Sequence, residues 1–368
     1  MARLGDLVTV SASSEQLTGD KFWLLNLDMI EQQTGRIVNY LFVDETKLDG
    51  SIIQFDTDTV LYSKLRPNLN KVVLPQMCGY ATSELLPLKP DSKLYKHYLA
   101  IYLRSDAFVT WAVSKTAGAK MPRLGTKELL NKDIPLPSLD EQKRIAECFE
   151  KIDELIFLRK QQLSKLDELV KSRFIELFGD VIQEDTLINL CRFIDYRGKT
   201  PEKVEHGLPF ITAKNVKMHH MSFDTQEFIS KDTYDKVMTR GFPKIGDVVF
   251  TTEAPLGNVC RIPYIDTEFY IGQRIITMQT DRLEPAYLEY ALSSERFREK
   301  IAEKASGSTV TGIRSKLLEQ LTIPVPPMEL QKQFAAFVKQ IDKSKFEIQK
   351  GLEKLETLKK ALMQKYFG

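Results

Sequence analysis

The chain repeats itself at one fixed spacing, and that repeat limits the folds open to it. Ile134-Pro135-Leu136-Pro137 and Ile323-Pro324-Val325-Pro326 stand 189 positions apart. With the offset held and no gap, Gln142-Lys143 falls on Gln331-Lys332 and Ile152-Asp153 on Ile341-Asp342. Lys165-Leu166 falls on Lys354-Leu355, and Phe178-Gly179 on Phe367-Gly368. Upstream, Asn26 aligns with Asn215, Asp58 with Asp247, Tyr98-Leu99 with Tyr287-Leu288, and Gly118 with Gly307. Chance identity is about one in sixteen at average composition, so scattered matches carry little. The cluster from Leu129 to Gly179 carries the argument. The chain reads as two copies of one unit, each a variable module of about 135 residues followed by a helix of about 40.

The helix is legible in both copies. Ser138-Leu139-Asp140-Glu141 has the S-x-x-E capping spacing, and the prolines before it keep the preceding chain extended. Apolar residues then step by threes and fours through Ile145, Phe149, Ile152, Ile156, Leu163, Leu166, Val170 and Leu177. The second copy gives Phe334, Val338, Ile341, Ile348, Leu352, Leu355, Leu362 and Tyr366. This is the spacing of a coiled-coil seam. At 1.5 Å per residue, some 38 residues make a rod on the order of 57 Å. Two such stripes in one chain can bury each other; the alternative is that each packs on its own module. Like units joined through like helices imply a pseudo-twofold, with antiparallel helices acting as a spacer between the modules.

Residues 1–137 and 181–326 predict mixed α/β modules, with short β-rich runs such as Thr59-Val60-Leu61-Tyr62 and Asp247-Val248-Val249-Phe250. Each module closes on a predicted helix, Tyr95–Ser114 or Pro285–Lys304, followed by a polar loop containing glycine, at Lys115–Lys120 or Ser306–Gly312. Basic and amide-rich loops follow strands in both modules, and Arg, Lys, Asn, Thr and Ser are the types that bond phosphates and base edges. Taken singly, such a loop reads first as a solvated face.

No catalytic constellation emerges. The chain of 368 residues carries a formal charge of +2, so any basic surface is local rather than global. It has no apolar run long enough to span a membrane and no signal-peptide core at its first residues. Cys78, Cys148, Cys191 and Cys260 show no CxxC spacing, which predicts no zinc site, no disulfide framework and a reducing, cytoplasmic setting. Phosphate-binding and dinucleotide loops are absent, as is a metalloprotease helix, so no metal, cofactor or catalytic residue is assigned. His97 and His206 have no evident partners, and His219-His220 is a poor chelate. Asp133 with Glu141-Gln142-Lys143 superficially resembles a nuclease carboxylate set, but Glu141 becomes Leu330 in the second copy. Two modules held a fixed distance apart suit a duplex with a helical repeat of about 34 Å.

The combination resembles the specificity subunit of type I restriction–modification enzymes, over essentially the whole chain. The segments that carry the resemblance are Asp133–Pro137 with Glu141–Ile145, Lys151–Leu155, and Phe174–Asp180, with echoes at Ile323–Gln331 and Gln340–Asp342. In the modules they are Trp23–Asp28, Leu208–Ile211 with Asn215-Val216, and Ile245–Val249. The resemblance implies an α+β fold in which two mixed α/β target recognition domains are separated by two long helices forming an antiparallel coiled coil, as a pseudo-twofold internal repeat. The expected domains are 1–137, a first recognition domain; 138–180, a helical spacer; 181–326, a second recognition domain; and 327–368, a second spacer.

The family implies that each recognition domain reads half of a bipartite site in double-stranded DNA. The helices set the unread spacer and dock methyltransferase subunits, and a separate motor–nuclease subunit joins them. That chemistry belongs to the partners, so the chain is expected to be non-catalytic. The first module has Asp56-Thr57-Asp58 where the second has Ile245-Gly246-Asp247, which implies different half-sites. The expected DNA contacts are Lys64, Arg66, Asn68, Lys71, Lys115, Lys120 and Arg123 in the first module. In the second they are Lys199, Lys214, Asn215, Lys217, Asn258, Ser308, Thr309, Thr311 and Arg314. Leu155, Leu158, Leu169 and Phe174 flank the seam, where they fit either docking of those subunits or, more simply, closure of the intramolecular coil. Two rivals remain at this stage: a self-contained DNA-binding nuclease, and a helical scaffold that binds no DNA.

Overall fold

Ser105 breaks the first module's closing helix in two. Its side chain accepts from Phe108 N, so the segment expected to be one helix is α1 (Lys96–Leu103) followed by α2 (Asp106–Ser114). The structure, a computed structural model, describes residues 1–13, 17–44, 46, 48, 51–118, 120–196, 200–272, 274–305 and 311–368. The chain divides into two compact units, residues 1–161 with 349–368, and residues 162–348.

In the first unit, an antiparallel sheet runs in the order Val8–Val10, Leu85–Pro90, Val60–Ser63, Val72–Val73. A second sheet runs Leu41–Val43, Phe22–Leu25, Gly79–Thr82, Ile52–Phe55, and its central pair is parallel. Helix α1 buries Tyr98 to Leu103 against the first sheet. A short helix, α3 (Thr126–Leu130), then leads into α4 (Leu139–Phe178). Ser138 Oγ accepts from Glu141 N at 3.4 Å, one half of the expected capping box; the Glu141 carboxylate turns instead to Arg144.

The second unit repeats this plan. After α4 and a strand at Glu184–Thr186 comes α5 (Leu187–Leu190), and the antiparallel sheet runs Arg192–Asp195, Ile275–Gln279, Val248–Thr251, Val259–Arg261. Phe228–Ile229, Leu208–Ile211 and Tyr270–Ile271 form the second sheet, again with one parallel pair. Helix α6 (Lys231–Val237) and a hairpin of Val216–Lys217 with His220–Met221 are additions to the plan. The closing helix is again split, into α7 (Pro285–Ser293) and α8 (Glu295–Lys304), by Ser294 accepting from Phe297 N. Ser294 stands 189 residues after Ser105, and Phe297 189 after Phe108. Helix α9 (Ser315–Glu319) precedes α10 (Met328–Phe367).

Within each unit, α4 and α10 pack antiparallel. In the first, Phe149 is fully buried with Phe367 and Tyr366 at ring distances of 6.2 and 6.4 Å, and Asp153 meets Lys359 at 2.5 Å. In the second, Phe178 and Phe334 pack at 5.5 Å, and Asp167 pairs with Lys345. The two options for the apolar stripes are both realised: Ile145 and Phe149 join the core of the first module, and Val170, Phe334 and Val338 join that of the second.

Candidate nucleic-acid interface

In each unit, three backbone segments are laced into one exposed platform at the end of the antiparallel sheet. In the first, the strand Val60–Ser63 runs out into Lys64-Leu65-Arg66. Lys64 N donates to Glu84 O at 3.0 Å, Leu124 N to Lys64 O at 2.9 Å, and Arg66 N to Pro122 O at 2.8 Å. Leu65 and Arg123 bridge antiparallel. In the second, Thr252 N donates to Arg274 O at 2.9 Å and Ile313 N to Thr252 O at 3.0 Å, while Glu253 and Gly312 form the bridge. Arg66 and Ala254 occupy the same place with φ of 49° and 45°, and each precedes a proline. A left-handed residue there turns the chain sharply away from the sheet.

The expected contacts distribute unevenly around these platforms. Lys64, Arg66 and Arg123 sit on the first platform, and Asn68 is exposed in the turn after it. Lys115 and Lys120 are exposed on the loop whose Thr116–Ala117 strand pairs with Arg123–Leu124. Lys71 stands apart: its Nζ donates to Leu27 O at 2.5 Å, and burial lowers its pKa against the opposing pull of Asp28. In the second unit, Thr311 and Arg314 are exposed on either side of the Gly312 bridge. Lys214 and Lys217 are exposed at the added hairpin. Lys199, Ser308 and Thr309 lie outside the described residues.

One assignment needs correction. Asn215 is 4% exposed and is spent on the fold. Its Oδ1 accepts from Thr212 N and Oγ1 at 2.9 and 3.0 Å, and its Nδ2 donates to Ser222 O and Thr225 O at 3.0 and 2.8 Å. That fills both donors and both lone pairs, leaving nothing for a base edge. Asn258 is half-buried and donates one hydrogen bond from Nδ2 to Val216 O at 2.8 Å, which ties its loop to the added hairpin.

His97 differs from expectation in having a partner. His97 pairs with Glu150 on α4 and stacks on Tyr95. His219 bonds the buried Glu289 at 2.9 Å and stacks on Tyr290. Glu289 also receives Arg261 Nε at 2.5 Å, and Arg261 reaches Asp342 on α10 at 2.9 Å. These are ties between the second module and its helix. Among the described residues, no group of three or more His, Cys, Asp or Glu side chains is placed to hold a metal. No described helix is long and apolar enough to cross a membrane.

Sequence reasoning missed Glu84, Glu253 and Arg274. Arg123 bonds Glu84 through Nε and Nη2 at 3.0 to 3.3 Å, and Arg274 Nε lies 3.0 Å from Glu253 Oε1. Each pair joins residues far apart in the chain, so no local motif announces it.

Known proteins share this plan. The family model described as type I restriction modification DNA specificity domain matches residues 29–168 and again 190–359. The MjaVIII specificity subunit of a type I restriction enzyme of Methanocaldococcus jannaschii is 26% identical over 316 residues, 77% of this chain and 72% of that protein. The EcoDI specificity subunit of Escherichia coli is 26% identical over 153 residues, 40% of this chain and 34% of that one. Among solved structures, the type I restriction–modification S subunit from M. genitalium matches all of this chain and 95% of its own, with a TM-score of 0.63 at 15% identity. A chain from a study of type I assembly and conformational transition matches all of this chain and 96% of its own, with a TM-score of 0.58 at 20% identity. With a family model covering most of its length in two copies, the chain belongs to the type I restriction–modification DNA specificity family.

Proposed function

We propose that the chain, as a type I specificity subunit, reads a bipartite duplex site through its two platforms and performs no chemistry itself. The observation that carries this reading is the repetition of one exposed platform on two differently decorated modules. The first bears Lys64, Arg66 and Arg123; the second bears Arg274, Thr311 and Arg314. Equal scaffolds with unequal side chains suit two half-sites of different sequence, because phosphate contacts position a protein while base contacts specify. Under this reading, 1–137 and 181–326 are the recognition domains, and 138–180 and 327–368 are the spacer helices.

The helices would also dock the methyltransferase subunits, with the motor–nuclease subunits joining that complex in the cytoplasm. Exposed apolar residues on the helices support the docking role. Leu155, Phe157, Leu158 and Leu358 are 39–47% exposed, as are Leu169 and Phe346 at 48% and 64%. Phe157 and Leu358 stand 189 positions from Phe346 and Leu169, so the repeat preserves one apolar pair in each unit. Two like surfaces suit two like partners.

The test is reconstitution with the cognate modification subunits, followed by mapping of methylated bases. A bipartite motif that disappears with this chain supports the reading. DNA cleavage or methylation by the chain alone would overturn its non-catalytic part, and no sequence preference in the complex would favour a scaffold.

A further inference from the structure

We propose that Arg123 and Arg274 each read a guanine, one in each half-site, and that Glu84 and Glu253 hold the two guanidiniums in position; this rests on the DNA-reading function proposed above. The two pairs occupy one structural place built in opposite senses. Glu84 and Arg274 are each the residue immediately before the strand that begins at Leu85 or Ile275, and each offers its carbonyl to the outgoing strand, at Lys64 N or Thr252 N. Across the platform the partner comes from a different segment. Arg123 sits on the loop after α2 in the first unit, and Glu253 on the strand extension in the second, opposite Gly312 where the first unit has Arg123. Two unrelated placements therefore yield one arginine paired with one glutamate on each platform, through Nε and Nη2 for Arg123 and through Nε alone for Arg274.

Fold stability does not explain this recurrence. The arginine side chains are 46% and 54% exposed and those of Glu84 and Glu253 23% and 41%, and exposed ion pairs contribute little to stability. The geometry explains it better. Glu84 occupies the Nε–Nη2 edge of Arg123, and Nη1 has no partner among the described residues. The end of the guanidinium is thus left to donate two parallel hydrogen bonds, which matches the O6 and N7 acceptors of guanine in the major groove. A guanidinium already fixed in its plane loses less side-chain entropy on binding. Arg123 and Arg274 are the specificity-determining residues, and Glu84 and Glu253 are positioning residues.

The experiment maps methylated bases made by the complete complex carrying Arg123→Ala, Arg123→Lys, Arg274→Ala or Arg274→Lys. Each arginine variant is expected to relax one guanine position, in one half-site only, with Arg123 and Arg274 affecting opposite halves. Discrimination at that position should fall roughly 5- to 150-fold. The lysine variants should hold overall affinity better than alanine yet relax the same position, because lysine keeps the charge and loses the planar fork. Glu84→Gln and Glu253→Gln should weaken discrimination at the same two positions. An unchanged motif with affinity lowered uniformly would show a phosphate contact, and full recovery of the motif by lysine would show that charge rather than the planar fork sets the position; either result overturns the proposal. A wild-type complex without any bipartite motif would instead defeat the DNA-reading function, so the two failures are distinguishable.

Discussion

The carboxamides of Gln142 and Gln331 are held by equivalent main-chain atoms of their own modules. Gln142 Oε1 accepts from Tyr95 N at 2.8 Å and Gln331 Oε1 from Glu284 N at 3.0 Å; their Nε2 groups donate to Pro137 O and Pro326 O at 3.0 and 2.8 Å. Both side chains are 0–1% exposed. Nearby, Tyr98 and Tyr287 hydroxyls donate to Pro135 O and Pro324 O. Each module is thus stitched to the first turn of its long helix through the Ile-Pro-x-Pro segment that first revealed the repeat.

Gln142→Ala and Gln331→Ala should each leave buried backbone groups unpaired. The expected cost is about 1–3 kcal/mol per variant, read as a lowered urea midpoint. A midpoint unchanged in both would show that water satisfies those groups instead.

Arg261 compensates a carboxylate that water barely reaches, since Glu289 is 1% exposed. Arg261→Met should cost about 3–5 kcal/mol, because it leaves that buried carboxylate with His219 as its remaining side-chain partner. Arg261→Met combined with Glu289→Leu should recover most of the loss, and a double-mutant cycle measures the coupling.

Glu184 should shape the acid limb of stability. Burial alone would raise its pKa, but hydrogen bonds from Lys300 and Thr322 and the charges of Lys300 and Arg296 outweigh burial and hold it below the usual carboxylate range. A carboxyl whose folded pKa lies below its unfolded value adds stability in full above the unfolded value. That stability is lost as pH falls through the folded one. Denaturation midpoints of Glu184→Gln should therefore fall less steeply with acid than those of the parent.

Gly351 lies in the interior of α10 with nothing within 4 Å of where a Cβ would stand. Gly351→Ala should stabilise the chain by about 0.5–1 kcal/mol, seen as a higher melting temperature. A lower one would show that the helix departs from regular geometry there.

Phe346→Glu and Leu169→Glu change exposed positions, so the isolated chain should unfold within about 0.5 kcal/mol of the parent. Co-purification with modification subunits should drop for both. Retained assembly would place the docking surface elsewhere.

The spacing of apolar residues made the long helices legible, and the 189-residue offset made the duplication legible. Both depend on periodicity, which survives in a single sequence. The break at Ser105 was not legible, because a serine within an otherwise helical run shows no sign that its hydroxyl turns back to cap Phe108 N. Residue type alone marked Asn215 as a contact, yet whether a polar side chain faces in or out depends on partners such as Thr225, ten residues away. Arg274 and Glu253 were invisible for the same reason: their meeting is decided by strand pairing, and nothing near either residue encodes it.

The stitches at Gln142 have one further consequence. They run to the amide of Tyr95, which every amino acid except proline supplies alike, and to the carbonyls of Lys93 and Pro137, which every amino acid supplies. A foreign module with a wholly different surface can therefore be grafted onto the same stem without redesigning the joint. If the proposed bipartite reading holds, such a graft would change one half of the target and leave the other as it was.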